Sequence, residues 1–116
     1  MKEKPPIGSQ QEIDELVLEY HRLIAARLQA DPESVLEHAR GNLERWMAAH
    51  QGTGSAYALE EWQQLLNNKT TQELIWLITE ESDRGQRLRS STPFTGILSA
   101  QERMELRAKN EERTFL

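Results

Sequence analysis

Three short motifs in this chain mark the starts of α-helices. In each, a serine or threonine is followed three residues later by a glutamate: Ser9 and Glu12, Thr70 and Glu73, Ser99 and Glu102. The hydroxyl accepts a hydrogen bond from the amide three residues on, and the glutamate reaches back to the first amide. No segment alternates apolar and polar residues with a period of two, and valine occurs only twice. The sequence therefore predicts an all-α protein without strands.

Apolar residues that recur every three or four positions extend these starts into five or six short helices. The predicted helices cover about residues 9–30, 32–51, 56–66, 70–78, 83–89 and 100–110. Four large apolar residues between Leu74 and Ile78 cover most of a helical circumference. This pattern predicts that the fourth helix is the central and most buried one. Trp76 lies on the side that those four residues cover least.

The length of 116 residues fits a single compact domain. Residues 1–8 contain two prolines and no periodicity, so we expect a disordered tail there and one helical domain over residues 9–116. The chain has no cysteine, which excludes disulfides, thiolate catalysis and cysteine-based zinc sites. No apolar run approaches the roughly 20 residues that span a bilayer, and the N-terminus does not read as a signal peptide. We therefore expect a cytoplasmic protein without a membrane partner.

The net charge of −5 is unevenly distributed. Residues 1–79 contain 7 lysines and arginines against 12 acids, whereas residues 80–116 contain 7 of each. An acidic domain binds duplex nucleic acid poorly, because neutralisation of phosphates supplies most of that affinity. The charge favours a protein partner that is basic at the contact, unless it serves only to keep the protein in solution.

No motif in the chain indicates an enzyme, a metal site or a cofactor site. The histidines at positions 21, 38 and 50 lack metal-ligand spacing, and helix-surface positions explain them. Adjacent carboxylates such as Glu60 and Glu61 point about 100° apart on a helix, so they do not form an acid–base pair. The sequence has no nucleophile elbow, phosphate-binding loop or dinucleotide fingerprint. We expect a protein that is not an enzyme.

The segment 90–96 is the one place where the composition is not explained by helix packing. It combines Ser91, Pro93, Phe94 and Gly96 and lies between arginines on both sides. Guanidinium groups bind carboxylates and phosphates in a bidentate manner, so the segment is a candidate contact site for a partner. The candidate partner-binding residues are Arg84, Arg87, Arg89, Ser91, Pro93, Phe94, Gly96, Arg103 and Trp76. Two alternatives remain open: the arginines pair with acids of the same chain, and Phe94 and Trp76 fill the core.

Several segments also resemble one group of known proteins. They are residues 21–28, 31–33, 39–46, 62–66 and 87–98, followed by Glu102-Arg103. Together they resemble small all-helical bacterial proteins of unassigned function that carry the pattern LR-x-S-x-PF-x-G-x-L and then ER. The resemblance covers about residues 20–106. The linker at 52–55 and the N-terminal tail depart from the pattern of the group.

The resemblance implies the antitoxin half of a two-gene toxin–antitoxin or defence module, with a nucleotidyltransferase-like toxin among the partners. We therefore expect a protein that binds and neutralises a cognate toxin or enzyme by direct contact. One alternative is a DNA-binding regulator of its own operon, built on a helix-turn-helix. Another is a phage or mobile-element inhibitor of a host defence nuclease. The sequence does not indicate an oligomeric state.

Overall fold

The structure of the protein, a computed structural model, describes residues 9–115, with side chains at positions 9–54 and 56–111. The expected tail at residues 1–8 lies outside the described residues. The helices are α1 (Gln10–Ala30), α2 (Pro32–Ala49), α3 (Ser55–Asn68), α4 (Thr71–Thr79), α5 (Asp83–Ser90) and α6 (Ala100–Phe115). Residues 9–115 contain no strand. The prediction of an all-α domain is confirmed, with six helices.

Side-chain caps begin most of these helices where the sequence predicts them. Ser9 accepts a hydrogen bond from the amide of Glu12 at 3.2 Å. Thr70 and Ser99 each form both hydrogen bonds of a capping box with the glutamate three residues later. Ser82 accepts from the amide of Gly85 at 3.1 Å and begins α5. These local bonds satisfy amides that a helix start leaves without partners.

The core lies among α1, α2, α3 and α4, and the segment after α5 closes it. The largest fully buried apolar side chains are Trp62, Phe94, Ile24, Leu28, Leu74, Ile78 and Leu88. Helix α1 packs against α2, α4, α5 and α6. The central position therefore belongs to α1, and the expectation that α4 would be central is wrong. Helix α4 buries one face and leaves the other to solvent.

One further sequence expectation differs from the structure. His21 is fully buried rather than at a helix surface, and its ring bonds to the segment after α5. On α6, Met104 is 67% exposed whereas Leu106 is buried. A β-carbon at Gly41 would meet the side chain of Arg45 at 3.5 Å, so Gly41 does not mark a close approach of a neighbouring helix.

Within residues 9–115, no helix has the length and the apolar character that crossing a bilayer requires.

Candidate functional site

The segment 90–96 is built into the core through two adjacent residues. The side chains of Pro93 and Phe94 are fully buried. The ring of Phe94 meets the ring of Trp62 edge to face, with centroids 5.6 Å apart and planes at 89°. The indole nitrogen of Trp62 donates to the carbonyl of Leu88 at 3.0 Å, which ties α3 to α5. Phe94 thus fills the core, which is one of the two alternatives that the sequence left open.

Side chains from α1 and α2 hold the backbone of this segment. The hydroxyl of Tyr20 donates to the carbonyl of Phe94 at 2.6 Å. The amide of Asn42 donates to the carbonyls of Pro93 and Thr95, each at 2.9 Å. The Nε2 nitrogen of His38 also contacts the Thr95 carbonyl at 2.9 Å. These bonds satisfy carbonyls in a region where an unpaired polar group would cost about 1–3 kcal/mol.

His21 links α1 to the same segment and is neutral. Its Nδ1 nitrogen lies 2.7 Å from the carbonyl of Val17, so this nitrogen carries the proton. Its Nε2 nitrogen then accepts from the hydroxyl of Thr92 at 2.8 Å, and that oxygen accepts from the amide of Phe94 at 3.2 Å. Burial lowers the pKa of His21 from 6.5 to about 4. Both ring nitrogens are occupied, so His21 holds the fold rather than a ligand.

Lowering the pH from about 6.5 to about 5 is expected to reduce the free energy of unfolding by about 2 kcal/mol through His21 alone. In the unfolded chain the residue takes up a proton with its ordinary pKa of 6.5, whereas in the folded state it does so only near pH 4. The unfolded state therefore binds more protons across this window, and stability falls as the pH falls. Urea unfolding followed by circular dichroism at several pH values measures the slope.

The control is His21→Gln, which removes the titrating group. The carboxylates titrate in both proteins. The difference between wild type and variant in the pH dependence of the unfolding free energy therefore reports on His21 alone. Above about pH 6.5 the difference in unfolding free energy is expected to be constant. Equal pH slopes for the two proteins below that value would contradict a buried neutral histidine.

Two of the candidate arginines bind groups of the same chain. Arg89 is 6% exposed and donates to the carbonyls of Ile78 and Glu80 at the end of α4, at 3.3 and 2.8 Å. A cation is favourable at a helix C-terminus. Arg87 binds both carboxylate oxygens of Glu61, at 2.6 and 3.1 Å, and this hydrogen bonding lowers the pKa of Glu61. Internal pairing, the alternative weighed from the sequence, thus occurs at these two positions.

The other candidates of the segment lie at its two ends. Ser91 is the C-terminal cap residue of α5. Gly96 has a φ of +80°, a backbone conformation that favours glycine. A β-carbon there would lie 3.2 Å from Nε2 of His38. Both residues shape the segment; the prediction that they contact a partner remains a prediction.

Three arginines remain exposed and unpaired. Within the described part of the chain, Arg84, Arg103 and Arg107 form no ion pair and no hydrogen bond. Arg84 lies on α5, whereas Arg103 and Arg107 lie one turn apart on α6. Arg103 and Arg107 line one groove together with Arg87, Arg89 and residues of the segment 90–96. Arg84 lies on another surface. The structure thus brings four arginines to the segment and leaves Arg84 apart from them.

The first surface is centred on Trp76, and we call it the Trp76 patch. It is a depression of about 310 Å³ between the start of α4 and α5, lined by Lys69, Gln72, Glu73, Trp76, Leu77 and Arg84. Trp76 is 61% exposed, whereas Trp62 is fully buried. Lys69 and Glu73 are ion-paired at 3.7 Å, which leaves Arg84 as the unpaired charge of the patch.

The second surface is a groove of about 850 Å³, which we call the α1 groove. It lies between the N-terminal half of α1, α5, the segment after α5, and α6. Its large apolar residues are Ile13, Leu16, Val17, Tyr20 and Leu106. Its charged residues are Asp14, Asp83, Arg87, Arg89, Arg103 and Arg107. The apolar face of α1 therefore packs in the core at the C-terminal end of the helix. Near the N-terminal end, Ile13 is 45% exposed.

Neither surface contains an arrangement that indicates catalysis. Among the side chains described at positions 9–54 and 56–111, no three histidines or carboxylates converge on a position for a metal ion. No protein-family model matches the chain, and no curated protein or solved structure matches it either.

Sequence reasoning missed the residues that anchor the segment 90–96, namely Tyr20, His21 and Asn42. Each is polar and lies on a helix face that also carries buried apolar residues. A polar residue in register with a buried face must find a hydrogen-bond partner inside the protein. A position on the same helix face as buried apolar residues is therefore the sequence signal that these three side chains are buried. It does not identify the group to which each side chain bonds.

Proposed function

We propose that this protein is a cytoplasmic binding protein that neutralises a cognate toxin or enzyme by direct contact, and that the Trp76 patch is its contact surface. The proposal joins the resemblance to antitoxins with one structural observation. Trp76 exposes 61% of its surface on a helix whose other large apolar residues face the core. An exposed tryptophan beside an unpaired arginine is typical of the residues that dominate protein–protein binding energy.

The surroundings of Trp76 support a protein contact rather than a packing role. Lys69, Gln72 and Glu73 form a polar border around the indole, and a polar rim around an apolar centre is the usual arrangement of an interface. Arg84 supplies a free guanidinium that can bind a carboxylate of the partner. Helix α4 is held from behind by α1 and α5, so the patch is presented on a rigid element.

The alternative of DNA binding has less support from the same contacts. Arg87 and Arg89 are engaged by Glu61 and by the carbonyls at the end of α4. Two of the six lysines and arginines with described side chains in α5 and α6 are therefore less available for contacts to phosphate. The alternative of a nuclease inhibitor shares the direct-contact mechanism, and the identity of the partner distinguishes it.

Trp76→Ala is expected to weaken partner binding by about thirtyfold, because truncation of an interface tryptophan costs about 2 kcal/mol or more. The test co-expresses the product of the adjacent gene with wild type or variant and measures growth. Calorimetric titration of the purified pair then gives the dissociation constant. Wild type should restore growth, and Trp76→Ala should restore it less.

Tyr57→Ala is the matched control, because Tyr57 is an aromatic residue on α3 that is 80% exposed. Both substitutions remove an exposed ring, so they should leave the unfolding free energy almost unchanged. Growth that is the same with and without this protein would end the proposal. If Trp76→Ala and Tyr57→Ala bound the partner equally well, the protein could still neutralise it, but the Trp76 patch would not be the contact surface.

A further inference from the structure

We infer that the α1 groove is a binding site for a small anionic amphiphile, a molecule with an extended apolar chain and a carboxylate head. The site is separate from the Trp76 patch and does not depend on the proposed function. Its volume of about 850 Å³ lies within the range of small-molecule sites, about 300–1,000 Å³. Four features of the groove lead to this ligand class.

The first feature is the apolar floor. Ile13, Leu16 and Val17 continue the apolar face of α1 beyond the packed core. Leu106 of α6 faces the same space and is buried at its edge. Ile13 is 45% exposed, and covering such apolar surface is favourable. An apolar chain lying along α1 would cover it.

The second feature is a local excess of positive charge. The groove contains four arginines and two aspartates, in a protein whose net charge is −5. Arg87 is compensated by Glu61, which lies outside the groove. Arg103 and Arg107 have no acidic partner in the described part of the chain. The groove therefore favours an anion.

The third feature is that most other polar groups of the groove are already bonded. Asp14 accepts from the amides of Gln10 and Gln86, at 2.9 and 2.6 Å. His21 uses both ring nitrogens, and Arg89 donates to the end of α4. Few donors or acceptors remain for the backbone of a peptide. A ligand with a single polar group fits better than a polypeptide segment.

The fourth feature is where the free polar groups lie. Arg103 and Arg107 are one turn apart on the same face of α6, and Leu106 lies between them. Two guanidiniums so placed can share one carboxylate, which is a strong charge-assisted arrangement. Asp83, which lines the groove at the start of α5, would repel an anionic head. The head therefore belongs at α6 and the apolar chain along α1.

The test titrates the full-length protein with three probes that share one apolar chain: octanoate, octanol and octyltrimethylammonium, each below its micelle concentration. Methyl resonances of Ile13, Val17 and Leu106 report on the groove in NMR spectra. Octanoate should shift these resonances saturably and bind about tenfold more tightly than octanol. Octyltrimethylammonium should bind more weakly than octanol. Equal affinity for the three probes, or shifts spread over the whole surface, would overturn the inference.

The variant test uses the double substitution Arg103→Gln and Arg107→Gln, with Arg84→Gln as the control. All three arginines are exposed and unpaired in the described residues, so the fold should tolerate each change. The double variant should bind octanoate about tenfold less tightly while keeping its affinity for octanol. Arg84→Gln should bind octanoate like wild type. An unchanged octanoate affinity in the double variant would refute the head-group site even if the groove binds apolar chains.

Discussion

Gly85→Ala is expected to lower the free energy of unfolding by about 3 kcal/mol or more. A β-carbon built on Gly85 would lie 2.2 Å from the backbone oxygen of Glu80 and 3.1 Å from the guanidinium of Arg89. The first atom belongs to the backbone at the end of α4, so it has little freedom to move. The turn between α4 and α5 would have to open, and the Glu80 carbonyl would leave the buried Arg89 without one of its acceptors. Urea unfolding followed by circular dichroism measures the loss.

Gly41→Ala provides the matched control for this substitution. Gly41 also lies inside a helix, but its β-carbon would be in ordinary contact at 3.5 Å with a flexible arginine. Alanine is a better helix former than glycine by up to about 1 kcal/mol, so this variant should be as stable as wild type or slightly more stable. If Gly85→Ala and Gly41→Ala behaved alike, the close approach of α5 to Glu80 would be wrong.

Phe94→Ala is expected to cost about 3–5 kcal/mol, as is usual for a fully buried aromatic residue. The ring lies at 0% exposure against Trp62, and its removal would leave a cavity beneath the segment that α1 and α2 hold in place. The near-ultraviolet dichroism of Trp62 should weaken, because the indole loses its edge-to-face neighbour. Thermal and urea unfolding give the change in stability.

Met104→Ala is the control, since Met104 is apolar but 67% exposed and its truncation should change stability by less than about 0.5 kcal/mol. The same pair of variants separates two interpretations of Phe94. If Phe94→Ala kept wild-type stability and lost only partner binding, Phe94 would be a contact residue. The burial described above predicts the opposite result.

The parts of this fold that depend on neighbouring residues could be predicted from the sequence. Capping at Ser9, Thr70 and Ser99 needs only residues three positions apart, so the helix starts were predicted correctly. Helix ends were less accurate: α3 extends to Asn68, two residues beyond its predicted end. Helix propensity changes little across the polar stretch at the end of α3, and the final turn is decided by packing against the rest of the protein.

The parts that depend on distant residues could not be predicted. The sequence suggested that the arginines on both sides of segment 90–96 form one cationic site. Arg87, Arg89 and Arg103 do line one groove with that segment, but Arg84 lies on another surface. Arg89 and Arg87 found acceptors on α4 and α3, and no sequence pattern specifies those pairings. The exposure of Trp76, by contrast, could be predicted. The apolar pattern of its helix placed it on the side that the large apolar residues cover least, and it is 61% exposed.

The anchoring of segment 90–96 has a consequence for how the chain folds. The bonds from Tyr20 and Asn42 to this segment join residues that are 74 and 51 positions apart. Such contacts close long loops of chain, and the entropy lost in closing them is regained only when the surrounding core forms as well. We therefore expect Phe94 to become buried together with the packing of α1, α2 and α3, and not before it. A fragment without the last third of the chain is expected to be less stable, because it lacks Leu88, Phe94 and Leu98 of the core.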